Sequence, residues 1–518
     1  MGEHVLKYYK KIKKEYKISF FFTFFVSLLI HFYKFCNMLP NHDSVYNYYS
    51  DQSVIGSGRW ALSLSCGISS YYDLPWVIGI ISCIYLALTV VVITALFRLK
   101  NPILIGLTSV ILAASPSTTE TFFFLFTADG YMLAMLLSAL AVYCSRIEEH
   151  RVSRTILSIV LICISCGIYQ AYVSFALILA LCYFMDVLLR GLHTKKECLN
   201  WIGKQILIYT VSLVAYYIIW QIVMKVTGTA PNNYQGISDV GTFHLSMLLH
   251  GLLSSIKTVL FYFLQWNVLA HGFTLYSVLH ILLLSIFALG LIFAAIKSKL
   301  LQRKWALFLF VLCLLAFIPF ACIWNFVSNS VGYRPMMLQC LSLVLFFTAL
   351  LYEHWFRPRV KDLVCLFLVV LLGNNAIMAN ISYFYLQLGY ERTYAQGLEM
   401  VLHIHQLQDE FQINDIMVIG NRLSEIQWTT DVDVDKTIPA EHIHMLSSLI
   451  ETNLFSNQEH TLPILRNTFG LDIPTASSEK QKALKNSNTV KNMPCWPDGG
   501  SVAEIDGTVI IKLANEGT

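Results

Sequence analysis

The sequence predicts an α-helical protein that crosses a membrane many times, and three observations support this fold class. Hydrophobic residues make up 56% of the 518 residues and charged residues only 13%, whereas soluble domains carry roughly a quarter charged residues. Apolar runs of bilayer-spanning length recur along the chain. Lysine and arginine collect in alternate connections between these runs, as in multi-pass proteins.

The apolar runs give the predicted helices. We count about eleven of spanning character, and the pair at 155–189 is predicted to be a hairpin that turns near Tyr169-Gln170 because both flanks are basic. The first run lacks a small-residue cleavage site and is predicted to be a retained helix. The predicted spans are 18–34, 75–97, 102–115, 129–145, 155–168, 171–189, 205–224, 275–296, 305–324, 337–352 and 363–381.

The basic residues predict the orientation. Lysines crowd residues 7–17, and later basic clusters fall in alternate connections, so the N-terminus is predicted to be cytoplasmic. With an odd number of spans, the region from about 382 lies outside. The basic residues are expected near membrane lipids, and the sequence has no basic stripe, zinc-finger or RNA-recognition pattern that would indicate nucleic acid.

Two domains are predicted. Residues 1–381 form the transmembrane domain, with large outer loops at 35–74 and 225–274, the second containing helices that lie in the membrane interface up to Trp266. Residues 382–518 form a small α/β domain outside the membrane. Its predicted helices are 387–410 and 441–453, and its strands are 413–419 and a hairpin within 502–513 around Asp506-Gly507.

A polar island in the first outer loop suggests catalysis. Asp43 is predicted to be a general base, since transfer to a hydroxyl requires a carboxylate within reach of the acceptor proton. Asp43 could instead cap a helix, and Asp51 has the same two interpretations. Arg59 lies between flexible glycines and Trp60, where its planar fork suits phosphate oxygens; the alternative is an arginine that reaches lipid headgroups.

Further polar residues are predicted on the same face. Arg334, before the tenth span, has the same two interpretations as Arg59. Glu120 and Asp129 bracket another outer loop, and Asp129 either complements a helix dipole or contacts a sugar or an arginine. Gln170 either joins helices or touches substrate. No cluster has metal-ligand spacing, and neither a metal nor a cofactor is expected.

The order of these motifs resembles the type II Gtr glucosyltransferases, which are membrane enzymes of the GT-C superfamily. That family's first outer loop reads Asp-Asp and later Gly-Arg; this chain has His42-Asp43 and, ending sixteen residues on, Gly58-Arg59. The remaining matches are Ala128-Asp129, Tyr169-Gln170-Ala171, Arg334, Pro494-Cys495-Trp496-Pro497 and Gly500-Ser501-Val502. His42 replaces the first acid, so Asp43 matches the second, and Asp51 is the alternative base.

The resemblance implies transfer of a hexose, glucose or an amino sugar, from undecaprenyl phosphate to a surface polysaccharide outside a bacterial plasma membrane. Asp43 would take the acceptor proton, and Arg59 and Arg334 would hold the donor phosphate. His42, Asp129, Tyr169 and Gln170 would bind substrate. Two alternatives remain open. A polysaccharide ligase or polymerase would depend more on arginines than on Asp43, and a flippase or transporter predicts charges deep in the membrane and inverted repeats.

Overall fold

A computed structural model describes residues 10–66, 71–232, 245–264, 275–328, 331–421 and 454–515. The chain divides into two compact units. The first unit comprises Met1–Asn37 and Asp51–Asn380, and the second comprises Met38–Ser50 and Ile381–Thr518. The chain passes into the second unit next to the predicted boundary at 382, but Met38–Ser50, from the predicted first outer loop, belongs to the second unit as well.

Most of the first unit is helical. Three short 3₁₀ helices lie near the site, at Ile55–Ser57, Ile323–Phe326 and Pro335–Leu341. The α-helices are α1 (Lys14–Cys36), α2 (His42–Tyr46), α3 (Leu62–Ser65), α4 (Pro75–Phe97), α5 (Pro102–Ala113), α6 (Pro116–Phe123), α7 (Leu125–Cys144), α8 (Val152–Ile168), α9 (Tyr172–Arg190), α10 (Lys195–Thr227), α11 (Leu245–Leu264), α12 (Leu275–Lys297), α13 (Lys304–Ala321), α14 (Ser342–Trp355), α15 (Pro358–Glu410), α16 (Gln458–Phe469), α17 (Ser478–Asn486) and α18 (Asn488–Asn492).

The lengths and hydropathy of the helices are those of a multi-pass membrane protein. Each predicted apolar run falls on a helix, yet within the described residues nine helices meet the length and hydropathy expected of a span, or ten if the bent pair α5 and α6 is one span. Helix α8 has 17 residues and falls just short of the length expected of a span. The prediction of about eleven spans therefore exceeds this number, and the exact count stays a prediction.

Helix α1 has the inside-out pattern expected in lipid. Phe21, Phe22, Phe25, Leu29 and Phe32 are exposed, whereas Ser19 and Thr23 are fully buried. The Ser19 hydroxyl lies 2.8 Å from Thr94 Oγ1 on α4, and the Thr23 hydroxyl donates to Ser109 Oγ on α5 at 2.8 Å. Small polar residues allow such close helix contacts where apolar residues already face lipid.

Several predicted boundaries move. The hairpin at 155–189 is confirmed, since α8 and α9 are separated by Tyr169, Gln170 and Ala171. Helix α10 continues to Thr227, and α11 occupies part of the predicted loop 225–274. Trp266 lies outside the described residues. The predicted helices 363–381 and 387–410 form one continuous helix, α15, because no glycine–proline break separates them.

The second unit contains a three-stranded sheet. Strands β1 (Asp415–Ile419), β2 (Val502–Ile505) and β3 (Thr508–Lys512) lie in the order β1-β3-β2, with β1 parallel and β2 antiparallel to β3. The predicted strand and hairpin are confirmed, and Asp506 and Gly507 have the positive φ angles of a tight hairpin turn. The predicted helix 441–453 lies outside the described residues. Val45 of α2 is buried in the unit's hydrophobic core beside residues of α15, α16 and the sheet.

Candidate active site

Arg59 is carried by a short turn in the first unit. Val54 and Arg59 pair as an isolated antiparallel bridge around the 3₁₀ helix Ile55–Ser57. Gly58 closes this turn with φ of +81°, a conformation that side chains with a Cβ rarely adopt. A Cβ at Gly58 would also collide with the Tyr216 hydroxyl and lie 2.6 Å from Gln170 Nε2. The glycine is therefore required by both backbone geometry and space.

Gln170 and two residues of α10 hold this turn by hydrogen bonds to its backbone. The Gln170 amide donates to the Ser57 carbonyl at 2.7 Å and to the Tyr216 hydroxyl at 3.0 Å. The Tyr216 hydroxyl in turn donates to the Gly58 carbonyl at 3.1 Å, and the Trp220 indole donates to the Ile55 carbonyl at 2.8 Å. The backbone that presents Arg59 is thus held by side chains more than a hundred residues away in sequence.

The Arg59 guanidinium rests on two tyrosines. Nη1 donates to the Tyr131 hydroxyl at 3.0 Å, and the guanidinium carbon lies 4.7 Å from the centre of the Tyr169 ring. The two tyrosine rings are stacked, with centroids 4.2 Å apart. Cation–π attraction and a hydrogen bond therefore fix the same cation, which is the preorganisation that anion binding requires.

Asp129 lies on the same helix as Tyr131. It lies within α7, two residues before Tyr131, and is almost fully buried. Its carboxylate accepts the Gly130 amide at 2.9 Å and hydrogen-bonds the Cys66 thiol. A Cβ at Gly130 would approach the Cys66 sulfur to 2.8 Å, so the close contact between α7 and Cys66 depends on glycine.

Two oppositely charged side chains, Lys34 and Asp73, interact with each other near Asp129. Lys34, near the end of α1, is buried, and its ammonium interacts with the Asp73 carboxyl. Burial raises the pKa of Asp73 to about 6; Lys34 opposes the increase and Asp129 adds to it. Asp73 Oδ1 is buried and has no hydrogen-bond partner among the described residues. Such a group is costly to retain in a core.

Arg334 is connected to the same region. The Trp324 backbone amide donates to the Tyr333 hydroxyl at 3.1 Å, and the Trp324 indole donates to the Gln170 carbonyl at 3.2 Å. Arg334 itself lies above the Phe124 ring, 5.4 Å from its centre. Gln170 therefore joins the Arg59 turn to the segment that carries Arg334.

The prediction that Glu120 and Asp129 bracket a loop is wrong. Glu120 lies in α6 and Asp129 in α7, and Phe124 alone separates these helices. Glu120 is fully buried and accepts the Met336 backbone amide. The loop was predicted because the polar residues after the span 102–115 interrupt the apolar pattern, although these residues form a buried helix.

His42 and Asp43 belong to the second unit. They are the first two residues of α2. Asn41 and Ser44 form a capping box at the N-terminus of this helix, so the capping role belongs to Asn41 rather than Asp43. His42 Nε2 lies 3.3 Å from Asp43 Oδ1, and the Asp43 side chain is 41% exposed. The His42 ring contacts His460 at 5.8 Å between centroids. Burial lowers the pKa of His460 to about 4; His42 lowers it further, and Asp43 opposes the decrease.

Asp51 has a local structural role. It is exposed, and its Oδ1 accepts the Ser53 amide at 3.0 Å. This short-range bond is typical of an aspartate that stabilises its own turn.

No group of three or more histidine, cysteine, aspartate or glutamate side chains in the described ranges is placed to hold a metal ion. The first unit instead brings together arginine, tyrosine and glutamine side chains around residues 57–59, 131, 169–170 and 333–334. Such donors can bind an anion by hydrogen bonds and charge.

The fold is that of a multi-pass membrane protein, and its candidate site contains cationic side chains held in place by their neighbours. The chain belongs to the glucosyl transferase GtrII family, whose sequence model matches residues 32–352. It is therefore a membrane glycosyltransferase, and the resemblance seen in the sequence is confirmed. No curated protein matches the chain, and no solved structure matches it.

Sequence reasoning missed most of the residues that hold the site in place. Tyr131, Tyr216 and Trp324 were not singled out, since aromatic residues in apolar runs usually pack in cores. Neither Lys34 nor Asp73 was singled out as a functional residue. An ionisable residue directly beside an apolar run could have signalled both of them.

Proposed function

We propose that this glycosyltransferase moves a hexose, glucose or an amino sugar, from undecaprenyl phosphate to a hydroxyl of a cell-surface polysaccharide. The reaction takes place on the outer face of a bacterial plasma membrane. The N-terminus is cytoplasmic and residues 382–518 lie outside, an orientation supported by the distribution of lysine and arginine. The proposal includes no metal or cofactor, because the leaving phosphate carries its own charge and arginine side chains can stabilise it.

The fixed guanidinium of Arg59 is the main support for this proposal. A sugar phosphodiester carries one negative charge. When the bond between the anomeric carbon and the phosphate oxygen breaks, the phosphate keeps the electron pair and its charge approaches −2. Arg59, held by Tyr131 and Tyr169, and Arg334 bind this product more strongly than the donor. Their binding energy therefore favours the transition state.

Asp43 is the proposed general base. The acceptor oxygen forms the new bond to the anomeric carbon, and its proton passes to the Asp43 carboxylate. The partly exposed side chain of Asp43 is open to an acceptor, and His42 orients it. Asp51 remains the alternative, although its carboxylate already accepts the Ser53 amide.

The remaining predicted substrate contacts receive different roles. Tyr169 and Gln170 act through Arg59, because their polar and aromatic groups already contact the turn that carries it. A sugar contact by Asp129 stays a prediction. Residues 382–518 help bind the acceptor glycan.

Transfer of radiolabelled sugar in membranes tests the proposal. Wild type, Asp43→Asn, Asp51→Asn and Arg59→Ala are compared at matched expression, with Arg98→Ala as the control because Arg98 pairs with Glu148 in an exposed contact. We expect Asp43→Asn to lose about a hundredfold or more and Asp51→Asn to keep its activity. Full activity of Asp43→Asn together with loss in Asp51→Asn would reassign the base.

Two other results would favour the alternatives. Loss of sugar transfer in Arg59→Ala, while Asp43→Asn and Asp51→Asn both stay active, would favour a ligase or polymerase. Absence of transfer from any polyprenyl-phosphate sugar by wild-type membranes would contradict the proposed donor and favour a flippase or transporter.

A further inference from the structure

Helix α6 is unusual because it is both polar and completely buried. Every residue from Pro116 to Phe123 is buried, and the sequence from Ser115 to Thr121 contains five hydroxyl side chains and one carboxyl. Buried polar groups persist only where they are hydrogen-bonded or serve a function.

The hydroxyl groups of this segment are all accounted for. Two donate to carbonyl oxygens four residues earlier, and the others reach the Leu112 carbonyl of α5, Tyr262 or Gln339. The contacts are Ser115 and Ser117 to the Tyr262 hydroxyl at 3.4 and 3.3 Å, Thr118 to the Leu112 carbonyl at 2.7 Å and Gln339 Oε1 at 3.2 Å, Thr119 to the Ser115 carbonyl at 3.3 Å, and Thr121 to the Ser117 carbonyl at 2.8 Å.

Glu120 differs from its neighbours. Its Oε2 accepts the Met336 backbone amide, two residues after Arg334. Its Oε1 is buried and has no hydrogen-bond partner among the described residues, but the carboxyl interacts with the positive charge of Arg334.

The segment that carries Arg334 needs an external support. Arg334 precedes a seven-residue 3₁₀ helix, Pro335–Leu341, with a non-helical residue at Leu338. Runs of this helix type longer than three or four residues are uncommon because their hydrogen bonds are poorly aligned. The Met336 amide, one of the first donors of this helix, has its partner on Glu120 rather than within the helix.

Phe124 adds a second contact from the same part of the chain. Its ring lies under the Arg334 guanidinium at 5.4 Å, and it follows α6 directly. Glu120 thus holds the backbone beside Arg334 while Phe124 holds the side chain.

We propose that Glu120 is a positioning residue that fixes Arg334 for the phosphate of the lipid-linked donor. This inference rests on the proposed role of Arg334. Glu120 is fully buried, so it acts on the reaction through Arg334 and does not touch the substrate. Its carboxyl accepts a backbone amide instead of forming a two-point pair with the guanidinium, which leaves Arg334 available to an anion.

The test combines Glu120 variants with Arg334→Ala. Glu120→Gln keeps an oxygen that accepts the Met336 amide, whereas Glu120→Ala removes it. We expect Glu120→Ala to raise the donor KM about tenfold or more and Glu120→Gln to restore KM to within about threefold. We expect Glu120→Ala with Arg334→Ala to be no worse than Arg334→Ala alone, since a residue that acts through another is not additive with it.

Two controls separate positioning from folding. Asp186→Asn changes another largely buried carboxyl of the first unit, which pairs with Arg190, and should leave the donor KM unchanged. Phe124→Leu keeps an apolar side chain without the ring and should raise the donor KM by about threefold, which tests the mechanism if Glu120→Ala does not fold.

Binding of undecaprenyl phosphate to the purified full chain distinguishes this inference from the proposed function. Two results with an active wild type would overturn the inference and leave the proposed function standing. One is that the losses of transfer in Glu120→Ala and Arg334→Ala add in the double variant. The other is that Glu120→Ala and Phe124→Leu fold and keep the wild-type donor KM. If no transfer occurs but wild type binds the lipid phosphate about tenfold more tightly than Glu120→Ala, the inference stands alone. Absence of both transfer and binding would overturn both.

Discussion

The two units hold their proposed reactive groups in different ways. In the first unit, Arg59 contacts Tyr131 and Tyr169, and its turn is bonded to Gln170 and Tyr216. In the second unit, Asp43 lies on the five-residue helix α2, and its carboxylate lies 3.3 Å from the neighbouring His42 imidazole. The cation is therefore rigidly fixed, and the carboxylate is partly open to solvent.

This difference follows from what each group is proposed to do. A phosphate group is stabilised best by donors that are already in place before the bond breaks. A general base instead needs access to the hydroxyl of an acceptor that comes from outside. The family match at 32–352 includes both groups, whereas residues 381–518 lie beyond it. The fixed cation and the open base thus lie in the shared part of the family.

Removal of the fixed cation should have the largest effect within this comparison. We expect Arg59→Ala to lower kcat by about a hundredfold to a thousandfold, the range seen when one preorganised donor is removed. Arg59→Lys keeps the charge but loses the planar fork, so it should recover only part of the rate. Sugar transfer in matched membranes measures both, and an unchanged rate in Arg59→Ala would break the comparison.

Loss of the support around the turn should have a smaller effect. Gln170→Leu keeps the approximate volume but removes the bonds to the Ser57 carbonyl and the Tyr216 hydroxyl. We expect about a tenfold loss of kcat/KM and about 1–3 kcal/mol of stability, because a buried carbonyl loses its donor. Rates and thermal unfolding of the purified chain check this; a stability loss without a rate loss would show that the turn is only structural.

Acid should weaken the second unit. The folded pKa of His460 is about 4, below the unfolded value of about 6.5. Between these values the unfolded chain binds more protons, so stability decreases as pH falls from about 6.5 to 4. We expect the protection of α16 amides against hydrogen exchange, corrected for the intrinsic rate at each pH, to decrease at pH 5. His460→Gln should flatten this dependence, and an identical pH response in that variant would assign the effect to another group.

The smallest effect is expected at Asp51. Its exposed carboxylate serves the local turn through Ser53, and asparagine can accept the same amide. We expect Asp51→Asn to stay within about twofold of wild type in transfer and about 0.5 kcal/mol in stability. A loss comparable to that of Asp43→Asn would move the base to the first unit.

Much of the fold could be predicted because it depends on local patterns. Long apolar runs give the helices, the break at Tyr169-Gln170 gives the hairpin, and Asp506-Gly507 gives the turn between β2 and β3. The continuous helix α15 was divided in two because its hydropathy changes along its length while its backbone does not.

The site could be predicted only in part, because its geometry depends on distant contacts. Arg59 and Arg334 were found as unusual charges, but the bond from Gln170 to Ser57 spans 113 residues and leaves no periodic signal. The packing of Val45 in the core of the second unit was missed for the same reason. Glu120 was found as a charge, but its burial against the Met336 amide could not be read from a polar stretch of sequence.

The most direct test of the central claim is the affinity of the purified full chain for undecaprenyl phosphate. Wild type, Arg59→Ala and Arg98→Ala would be compared in the same detergent at one ionic strength. The account predicts binding at least about tenfold weaker for Arg59→Ala and unchanged for Arg98→Ala. Equal affinity in wild type and Arg59→Ala would contradict the claim that the Gly58-Arg59 turn holds the donor phosphate.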